Sequence, residues 1–179
     1  KIFNKDLLNA FLVSSLNTPG KMLVSAVEPK ESSFIKKMND QAAAWGTTKT
    51  TFVDVTGEHI NSVTTARDYL HIFHPALKNA TIKKTLAKKT YQYTEFKDLD
   101  DKPDHFDTHS NDLTQASNLS FTILASKTGY LYESGANLAL LVKRNSDGKQ
   151  FIIITMGNVD FSNRFDAPKS IANWAMSHL

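Results

Sequence analysis

The stretch "FTILASKTGYLYESGANLALLVKR", residues 121–144, decides the fold class that this chain predicts. Its two apolar ends are typical of buried strands. A third run, "QFIIITMG" at 150–157, follows the hairpin-type turn "NSDGK". The last third of the chain therefore predicts a short antiparallel meander. Its first strand carries Lys127, Thr128 and Gly129, where a buried strand is ordinarily apolar.

Working outward, apolar residues at helical spacing dominate the first half. Leu7, Leu8, Phe11 and Leu12 predict a helix that breaks over 14–20, with Pro19 and Gly20 as stop signals, and that restarts at Met22. Further helices are predicted at 32–45, capped by Ser32 or Ser33 and ended by Gly46, then after Thr64 or Thr65 up to Pro75, and at 81–89.

Two short segments and a terminal helix complete the pattern. Tyr91 and Tyr93 alternate with polar residues and predict a strand, whereas the polar stretch 97–111 predicts a loop. A closing helix at 164–178 is expected to pack Phe165, Ile171, Trp174 and Ala175 inward. The sequence therefore predicts one α+β domain over 1–179, mostly helical over 1–90, with a sheet and terminal helix over 91–179.

Composition excludes several classes of site. The 179 residues are 41% hydrophobic and 22% charged with a net charge of +3, as in an ordinary soluble globular protein. The chain has no cysteine, which excludes disulfides, thiolate metal sites and cysteine nucleophiles. No apolar run approaches the roughly 20 residues that span a bilayer. Lys83, Lys84, Lys88 and Lys89 have no aromatic residues between them, so they predict a solvated helix face rather than a nucleic-acid site.

The tripeptide Lys127-Thr128-Gly129 has a direct chemical use on a strand. Glycine removes a side chain that would block a ligand lying along the strand, threonine offers a hydroxyl to a carboxylate, and lysine supplies positive charge. An edge strand of this kind binds an extended peptide by adding it to the sheet. Three residues also recur by chance, and a surface hairpin with a solvated lysine is the alternative interpretation.

Further motifs occur in a fixed order along the chain. Ser15-Leu16-Asn17 lies between two apolar helices, 109 residues before Lys127, and matches S-x-N of the set S-x-x-K, S-x-N and K-T-G. The chain resembles D-alanyl-D-alanine carboxypeptidases, the low-molecular-mass penicillin-binding proteins, over nearly its whole length. The other matching residues are Phe34, Met38, Asn39, Ala42, Gly46, Thr50, Phe52, Thr65, Ala66 and Asp68, with "SNDL" and "NRFDAPKSIANWA" on either side of the K-T-G motif.

The resemblance implies a β-lactamase/transpeptidase-like fold and a serine peptidase that forms an acyl-enzyme on peptidoglycan stem peptides. It implies catalytic roles for Ser15, Asn17 and Lys127, with β-lactams as inhibitors. It implies substrate contacts from Thr128, Gly129, the backbone N–H of Tyr130, and Arg164. It implies no metal or organic cofactor, and a location outside the cytoplasmic membrane.

The chain departs from the family pattern in one respect, because no Ser-x-x-Lys precedes Ser15. We expect the nucleophilic serine and its lysine to lie on an upstream segment or a second chain, and the chain alone to be inactive. Ser33 and Lys36 fit the letters of the motif but follow the S-x-N motif on a surface-type helix.

Three other interpretations stay open. The first is a penicillin-binding-like module of the cell envelope that binds without catalysing, and the second is a relative that hydrolyses β-lactams or esters. The class A β-lactamase version lacks a Glu-x-x-x-Asn segment between the S-x-N and K-T-G motifs. The third is a metal site at Asp104, His105, Asp107 and His109, or at His71 and His74, although no closed four-ligand spacing occurs.

Overall fold

A computed structural model describes residues 2–95 and 104–179 of the chain. Five helices form most of the first part: α1 (Asn4–Val13), α2 (Asn17–Val27), α3 (Glu31–Ala44), α4 (Ala66–Ala76) and α5 (Ala80–Leu86). Two sheets follow, β1 (Thr90–Thr94) with β2 (Asp104–Thr108), and then β3 (Phe121–Leu131), β4 (Gly135–Arg144) and β5 (Gln150–Asn158). A single 3-10 turn, Asp112–Gln115, precedes β3, and α6 (Asp166–His178) closes the fold. The predicted α+β class is confirmed.

The break between the first two helices is shorter than the sequence predicts. Pro19 and Gly20 lie in the first turn of α2, where a proline removes no intrahelical hydrogen bond. A Cβ on Gly20 would lie 2.6 Å from the ring of Phe11, so the glycine lets α1 and α2 approach closely. The prediction that these two residues interrupt the helix is therefore wrong, and the interruption is residues 14–16.

Helix boundaries elsewhere differ from the predicted ones in small ways. The residue before α3 is Lys30, so neither Ser32 nor Ser33 caps that helix, whereas Gly46 ends it at a φ of +88° as predicted. Thr65 caps α4 by accepting the N–H of Asp68, and Pro75 lies within the last turn rather than stopping the helix. α5 ends at Leu86, so only part of the lysine-rich patch is helical.

A two-stranded hairpin lies beside α1. Strand β1 is present as predicted, and β2 pairs with it antiparallel from Thr90 opposite Thr108 to Thr94 opposite Asp104. The predicted loop at 97–111 is therefore wrong for 104–108, which is a strand, while residues 97–103 lie outside the described residues. Tyr91 donates a hydrogen bond to the buried carboxylate of Asp6, which ties the hairpin to α1.

The main sheet is the predicted meander, with strand order β3-β4-β5 and both pairs antiparallel. Successive side chains of a strand lie on opposite faces of the sheet, and most residues of β4 are buried, so both faces of this strand are covered. Leu138, Leu140 and Val142 pack on the α6 side with Ala172, Ala175 and Met176, whereas Ala139 and Leu141 pack on the side of α4 and α5 with Phe73, Leu77 and Leu86. The domain is thus a sheet covered by helices on both faces.

The buried face of α6 differs from the predicted one. Ile171 and Trp174 are 45% and 53% exposed, and the helix instead buries Pro168, Ala172, Ala175 and Met176. Phe165 and Ala175 pack inward as predicted.

An irregular segment, residues 47–65, joins α3 to α4 and is held by two carboxylates. Asp68 on α4 accepts hydrogen bonds from the backbone of Thr48 and Lys49 and from the hydroxyl of Thr50, at 2.6–3.0 Å. Asp54 accepts the backbone N–H groups of Thr56, Gly57 and Glu58, and the hydroxyl of Ser62 at 2.5 Å. Within this segment, Thr51 and Val63 form an isolated antiparallel bridge.

Candidate active site

Ser15 lies at the turn between α1 and α2 in a rarely populated backbone conformation. Its φ is +61°, in the left-handed region, which ordinary L-residues adopt at a cost of roughly 1–2 kcal/mol. The neighbouring residue Ser14 follows the last turn of α1, and Asn17 begins α2. Strain of this kind persists where surrounding contacts fix the backbone, which is common at functional sites.

Lys127 contacts Ser15 across 112 positions of sequence. Its Nζ donates to Ser15 Oγ at 2.5 Å and to the carbonyl oxygen of Thr128 at 2.8 Å. An ammonium group has three N–H donors, so one stays available to a ligand. Burial lowers the pKa of Lys127 to about 8, so the side chain is mostly charged at pH 7.

Lys127 has no carboxylate partner among the ion pairs found in residues 2–95 and 104–179. A partly buried cation without a counter-ion is costly unless a ligand compensates it. The site is therefore matched to a ligand that carries a negative charge.

Thr128, Gly129 and Tyr130 continue along β3 from Lys127. The Thr128 hydroxyl lies 2.6 Å from the hydroxyl of Ser110. A Cβ on Gly129 would meet only Asn137 Cβ, at 3.8 Å, so packing within the chain does not require the glycine. The missing side chain instead leaves the strand open to a ligand. Tyr130 is half-exposed, and its ring meets Phe161 edge-on at 4.7 Å.

A cleft of about 560 Å³ lies along this strand. Three parts of the chain line it: β3 from Lys127 to Leu131 with the following turn, the facing parts of β4 and β5, and the 57–64 loop with Tyr69 of α4. Such a volume is typical of a small-ligand or peptide site. The residues of the loop and of α4 that line it are Gly57, Ile60, Ser62, Val63, Thr64 and Tyr69.

Asn17, at the start of α2, lies close to Glu58 of the 57–64 loop. Glu58 also pairs with Lys21 of α2 at 2.6 Å. Hydrogen bonds from Lys21, and then from Thr56 and Asn17, lower the pKa of Glu58. The structure thus brings Ser15 to Lys127 and places Asn17 one helical turn before the Lys21–Glu58 pair.

Arg164 stands apart from the cleft lining. Its guanidinium lies over the rings of Phe161 and Phe165, at 4.0 and 4.4 Å, and pairs with Asp112 at 3.0 Å. Its neighbour Phe161 contacts Tyr130, so Arg164 reaches the Lys-Thr-Gly strand only through that aromatic pair. Its ion-pair partner is thus Asp112 rather than Asp160 or Asp166, which are nearer in the sequence.

The candidate metal residues have other partners. His105 pairs with Glu95 at 3.1 Å and stacks on Tyr93 at 4.6 Å, and His71 contacts the carbonyl oxygen of Trp45. In the parts of the chain that the structure describes, no three His, Asp or Glu side chains lie together as metal ligands would. Nor do residues 2–95 and 104–179 include a helix with the length and apolar character needed to cross a membrane.

Comparison with known proteins decides the family. The model of peptidase S11, D-alanyl-D-alanine carboxypeptidase, matches residues 1–160, which include Ser15, Asn17 and the whole Lys-Thr-Gly strand. The chain belongs to this family. Arg164 and α6 lie beyond the matched residues, so the assignment does not extend to them.

Two curated members of the family are similar in sequence. The chain is 28% identical over 165 residues to the D-alanyl-D-alanine endopeptidase of Haemophilus influenzae, covering 92% of this chain and 54% of the relative. It is 27% identical over 162 residues to that of Pseudomonas aeruginosa, covering 86% and 48%. The chain therefore spans about half the length of these relatives.

Solved structures of DD-peptidases share the fold. The D-alanyl-D-alanine carboxypeptidase of Mycobacterium tuberculosis superposes with a TM-score of 0.80 at 21% identity, covering 98% of this chain and 65% of that one. The S216A mutant of Streptomyces K15 DD-transpeptidase gives 0.85 at 21% identity, covering 98% and 69%. The predicted β-lactamase/transpeptidase-like fold is confirmed.

Sequence reasoning missed several residues beside the family motifs. Ser110, which contacts Thr128, and His109, which contacts Ser126, belonged to the predicted loop and to the candidate metal cluster. Tyr69 and the 57–64 loop were not connected with the site at all. The only signal in the sequence was the "SNDL" match before β3, which gives no indication of what these side chains contact.

Proposed function

We propose that this chain supplies the Ser-x-Asn and Lys-Thr-Gly walls of a serine-type D-alanyl-D-alanine carboxypeptidase that trims peptidoglycan stem peptides. The observation that carries the proposal is the 2.5 Å contact between Lys127 Nζ and Ser15 Oγ at the end of an open cleft. A charged lysine without a carboxylate partner suits a substrate that ends in a free carboxylate.

The nucleophilic serine and its lysine come, in this proposal, from residues that precede Lys1. Support comes from the length of the relatives, of which the chain matches about half. Support also comes from Lys36, the lysine of the internal Ser-x-x-Lys match at Ser33, because it is exposed and pairs with Asp40 at 2.6 Å. That incoming serine attacks the carbonyl carbon of the D-Ala–D-Ala amide, the terminal D-Ala leaves as the amine, and water hydrolyses the acyl-enzyme.

Ser15 is suited to passing a proton to the leaving amine. Its oxygen accepts from Lys127, so its own hydrogen is free to be donated. The positive charge of Lys127 stabilises the alkoxide that develops on the nucleophile. Asn17 holds the amide carbonyl on the acyl side and orients the nucleophile's lysine, after its side chain turns from Glu58 to the substrate.

Strand β3 binds the substrate in this proposal. In the described residues β3 pairs only with β4, so its second edge is open to an extended peptide. Thr128 and the third N–H of Lys127 bind the terminal carboxylate, and the backbone N–H of Tyr130 contributes to the oxyanion hole. Gly129 keeps the strand surface free of a side chain. Arg164 acts through Phe161 and Tyr130, supporting the carboxylate end of the strand.

The site lies outside the cytoplasmic membrane in this proposal, where stem peptides are exposed, and β-lactams occupy it as substrate analogues. The test is intact-protein mass spectrometry of the full-length protein after incubation with a fluorescent penicillin. We expect one covalent adduct, and none on residues 1–179 alone. Ser33→Ala should label like the wild type, whereas Lys127→Ala should label at least about tenfold more slowly.

Two outcomes would reject the proposal. A full-length protein that forms no adduct and releases no D-Ala from a D-Ala–D-Ala peptide is the non-catalytic module. An adduct on the 1–179 chain would place the nucleophile within it. Faster turnover of nitrocefin than of the peptide would favour a β-lactam hydrolase instead.

A further inference from the structure

Residues 108–111 form a clamp between the two halves of the active site. One side of this clamp holds the end of α1. The backbone N–H of Ser110 donates to the carbonyl oxygen of Val13 at 3.0 Å, and the hydroxyl of Ser14 donates to the carbonyl oxygen of Thr108 at 3.3 Å. These bonds attach the clamp to the residue immediately before Ser15.

The other side of the clamp holds β3. His109 Nε2 lies 3.1 Å from Ser126 Oγ, and Ser110 Oγ lies 2.6 Å from Thr128 Oγ1. Ser126 and Thr128 are the two neighbours of Lys127 along the strand. The clamp therefore contacts the residues on both sides of Lys127, and it also contacts the turn that carries Ser15.

His109 is the buried centre of the clamp. Its side chain is 2% exposed and Ser126 is fully buried. Nδ1 accepts the backbone N–H of Asn111 at 2.9 Å, so the proton of the neutral ring is on Nε2, which donates to Ser126 Oγ. The backbone N–H of His109 also donates to the carbonyl oxygen of Lys89 at 2.8 Å. The ring thus has one tautomer, one orientation and one partner on β3.

We propose that His109 is a positioning residue that sets the Ser15–Lys127 contact by fixing Ser126 and, through it, β3. Since buried polar groups cost stability when a partner is lost, replacing the imidazole leaves both the N–H of Asn111 and the hydroxyl of Ser126 unsatisfied. The strand then shifts relative to the Ser15 turn, and Lys127 no longer meets Ser15 at hydrogen-bond distance. A displacement of about 1 Å is enough to slow a reaction by about a hundredfold.

The test uses the full-length protein and a double-mutant cycle, and its catalytic arm rests on the proposed function. Rates of acylation by a fluorescent penicillin are measured for the wild type, His109→Phe, Ser126→Ala and the double variant. We expect His109→Phe to slow acylation about tenfold or more, Ser126→Ala to slow it similarly, and the double variant to be no slower than the worse single one. His109→Gln, whose amide nitrogen can replace Nε2, should restore most of the rate.

Two controls separate positioning from loss of stability. Met176→Ala in the α6 cluster lowers the melting temperature without touching the clamp, so its acylation rate should equal that of the wild type. Crystal structures of the wild type and Ser126→Ala give the Ser15 Oγ–Lys127 Nζ distance directly. We expect that distance to exceed 3.5 Å in the variant, against 2.5 Å here.

The outcomes are distinct. Additive effects of the two substitutions, or an unchanged Ser15–Lys127 distance in Ser126→Ala, would overturn the clamp. If the wild-type protein forms no acyl adduct, the proposed function is wrong. The Ser15 Oγ–Lys127 Nζ distance in the crystal structures then tests the role of His109 without any activity.

Discussion

His109 should make the protein lose stability as the pH falls from 6.5 towards 4. Burial, and then the charge of Lys127, lower the pKa of His109 to about 4 from its ordinary 6.5. Between pH 6.5 and pH 4, His109 binds a proton in the unfolded chain but stays neutral in the folded protein. Stability is therefore complete above pH 6.5 and falls as the pH drops towards 4. Each pH unit in this window is worth about 1.4 kcal/mol, so the loss at pH 5 is about 2 kcal/mol.

Urea denaturation followed by circular dichroism measures this loss. For a urea dependence of about 2 kcal/mol per molar, the midpoint should fall by about 1 M between pH 7.5 and pH 5. His109→Gln cannot titrate, so it should be less stable at pH 7.5 and lose about 2 kcal/mol less than the wild type on acidification. His74→Gln is the matched control, because it replaces an exposed histidine on α4 by the same side chain. The same pH dependence in His109→Gln and the wild type would refute the reasoning.

Three further predictions concern other parts of the molecule. Because burial lowers the pKa of Lys127 to about 8, acylation of the full-length protein should decline with an apparent pKa near 8 as the ammonium is lost. Lys127→Arg, which stays charged, should remove this decline in stopped-flow fluorescence, and a decline that persists would assign it to another group. Gly135→Ala should lower the free energy of unfolding by about 2 kcal/mol or more, because its φ is +65° and a Cβ would lie 2.6 Å from the carbonyl oxygen of Asn158. Gly148→Ala, at a φ of +78° in open space, should lose only about 1 kcal/mol, and equal losses in urea would contradict the clash. Burial opposes ionisation of Asp54, but hydrogen bonds from Ser62 and the loop backbone outweigh it and lower its pKa to about 2. Asp54→Ala should therefore lose less stability than the wild type between pH 4.5 and 2.5, and an equal loss in the two proteins would count against this account.

Strong apolar patterns gave reliable predictions of the main sheet. The segment Leu138–Val142 is continuously apolar because helices cover both faces of β4, and a run of that length has few alternatives. The existence of α6 was equally clear, but its buried face was not. Ile171 and Trp174 are more apolar than Ala172 and Ala175, and the close approach of the helix to the sheet selects the small residues instead.

Two local predictions of secondary structure were wrong for the same physical reason. Pro19 and Gly20 have the composition of a stop signal, yet in the first turn of a helix neither residue costs a hydrogen bond. The strand β2 is polar along most of its length, with alternate residues exposed, so its pairing with β1 depends on backbone bonds that no composition reveals. In both cases the position within an element, rather than the residue type, decided the structure.

The candidate site, like the fold, was predicted only in part from the sequence. The Ser-x-Asn and Lys-Thr-Gly motifs implied roles for Ser15 and Lys127 in one site, and the structure brings these two residues into contact. The approach of Asn17 to Glu58 and the contact between His109 and Ser126 join segments that are distant in sequence. Such contacts follow from the folded arrangement of the whole domain, and a local pattern does not encode them.

The position of β4 also determines which parts of the chain open first. Its amides are bonded on both edges and covered on both faces, so their hydrogen exchange should require opening of the whole domain. The α1–α2 turn, by contrast, joins α1, which packs on α5 and the small hairpin, to α2, which packs on α1 and α3. Ser15 and Lys127 thus belong to regions of unequal local stability, and a partial opening separates them while the sheet stays intact. The Ser15–Lys127 contact would then be lost on mild heating before any global melting becomes visible.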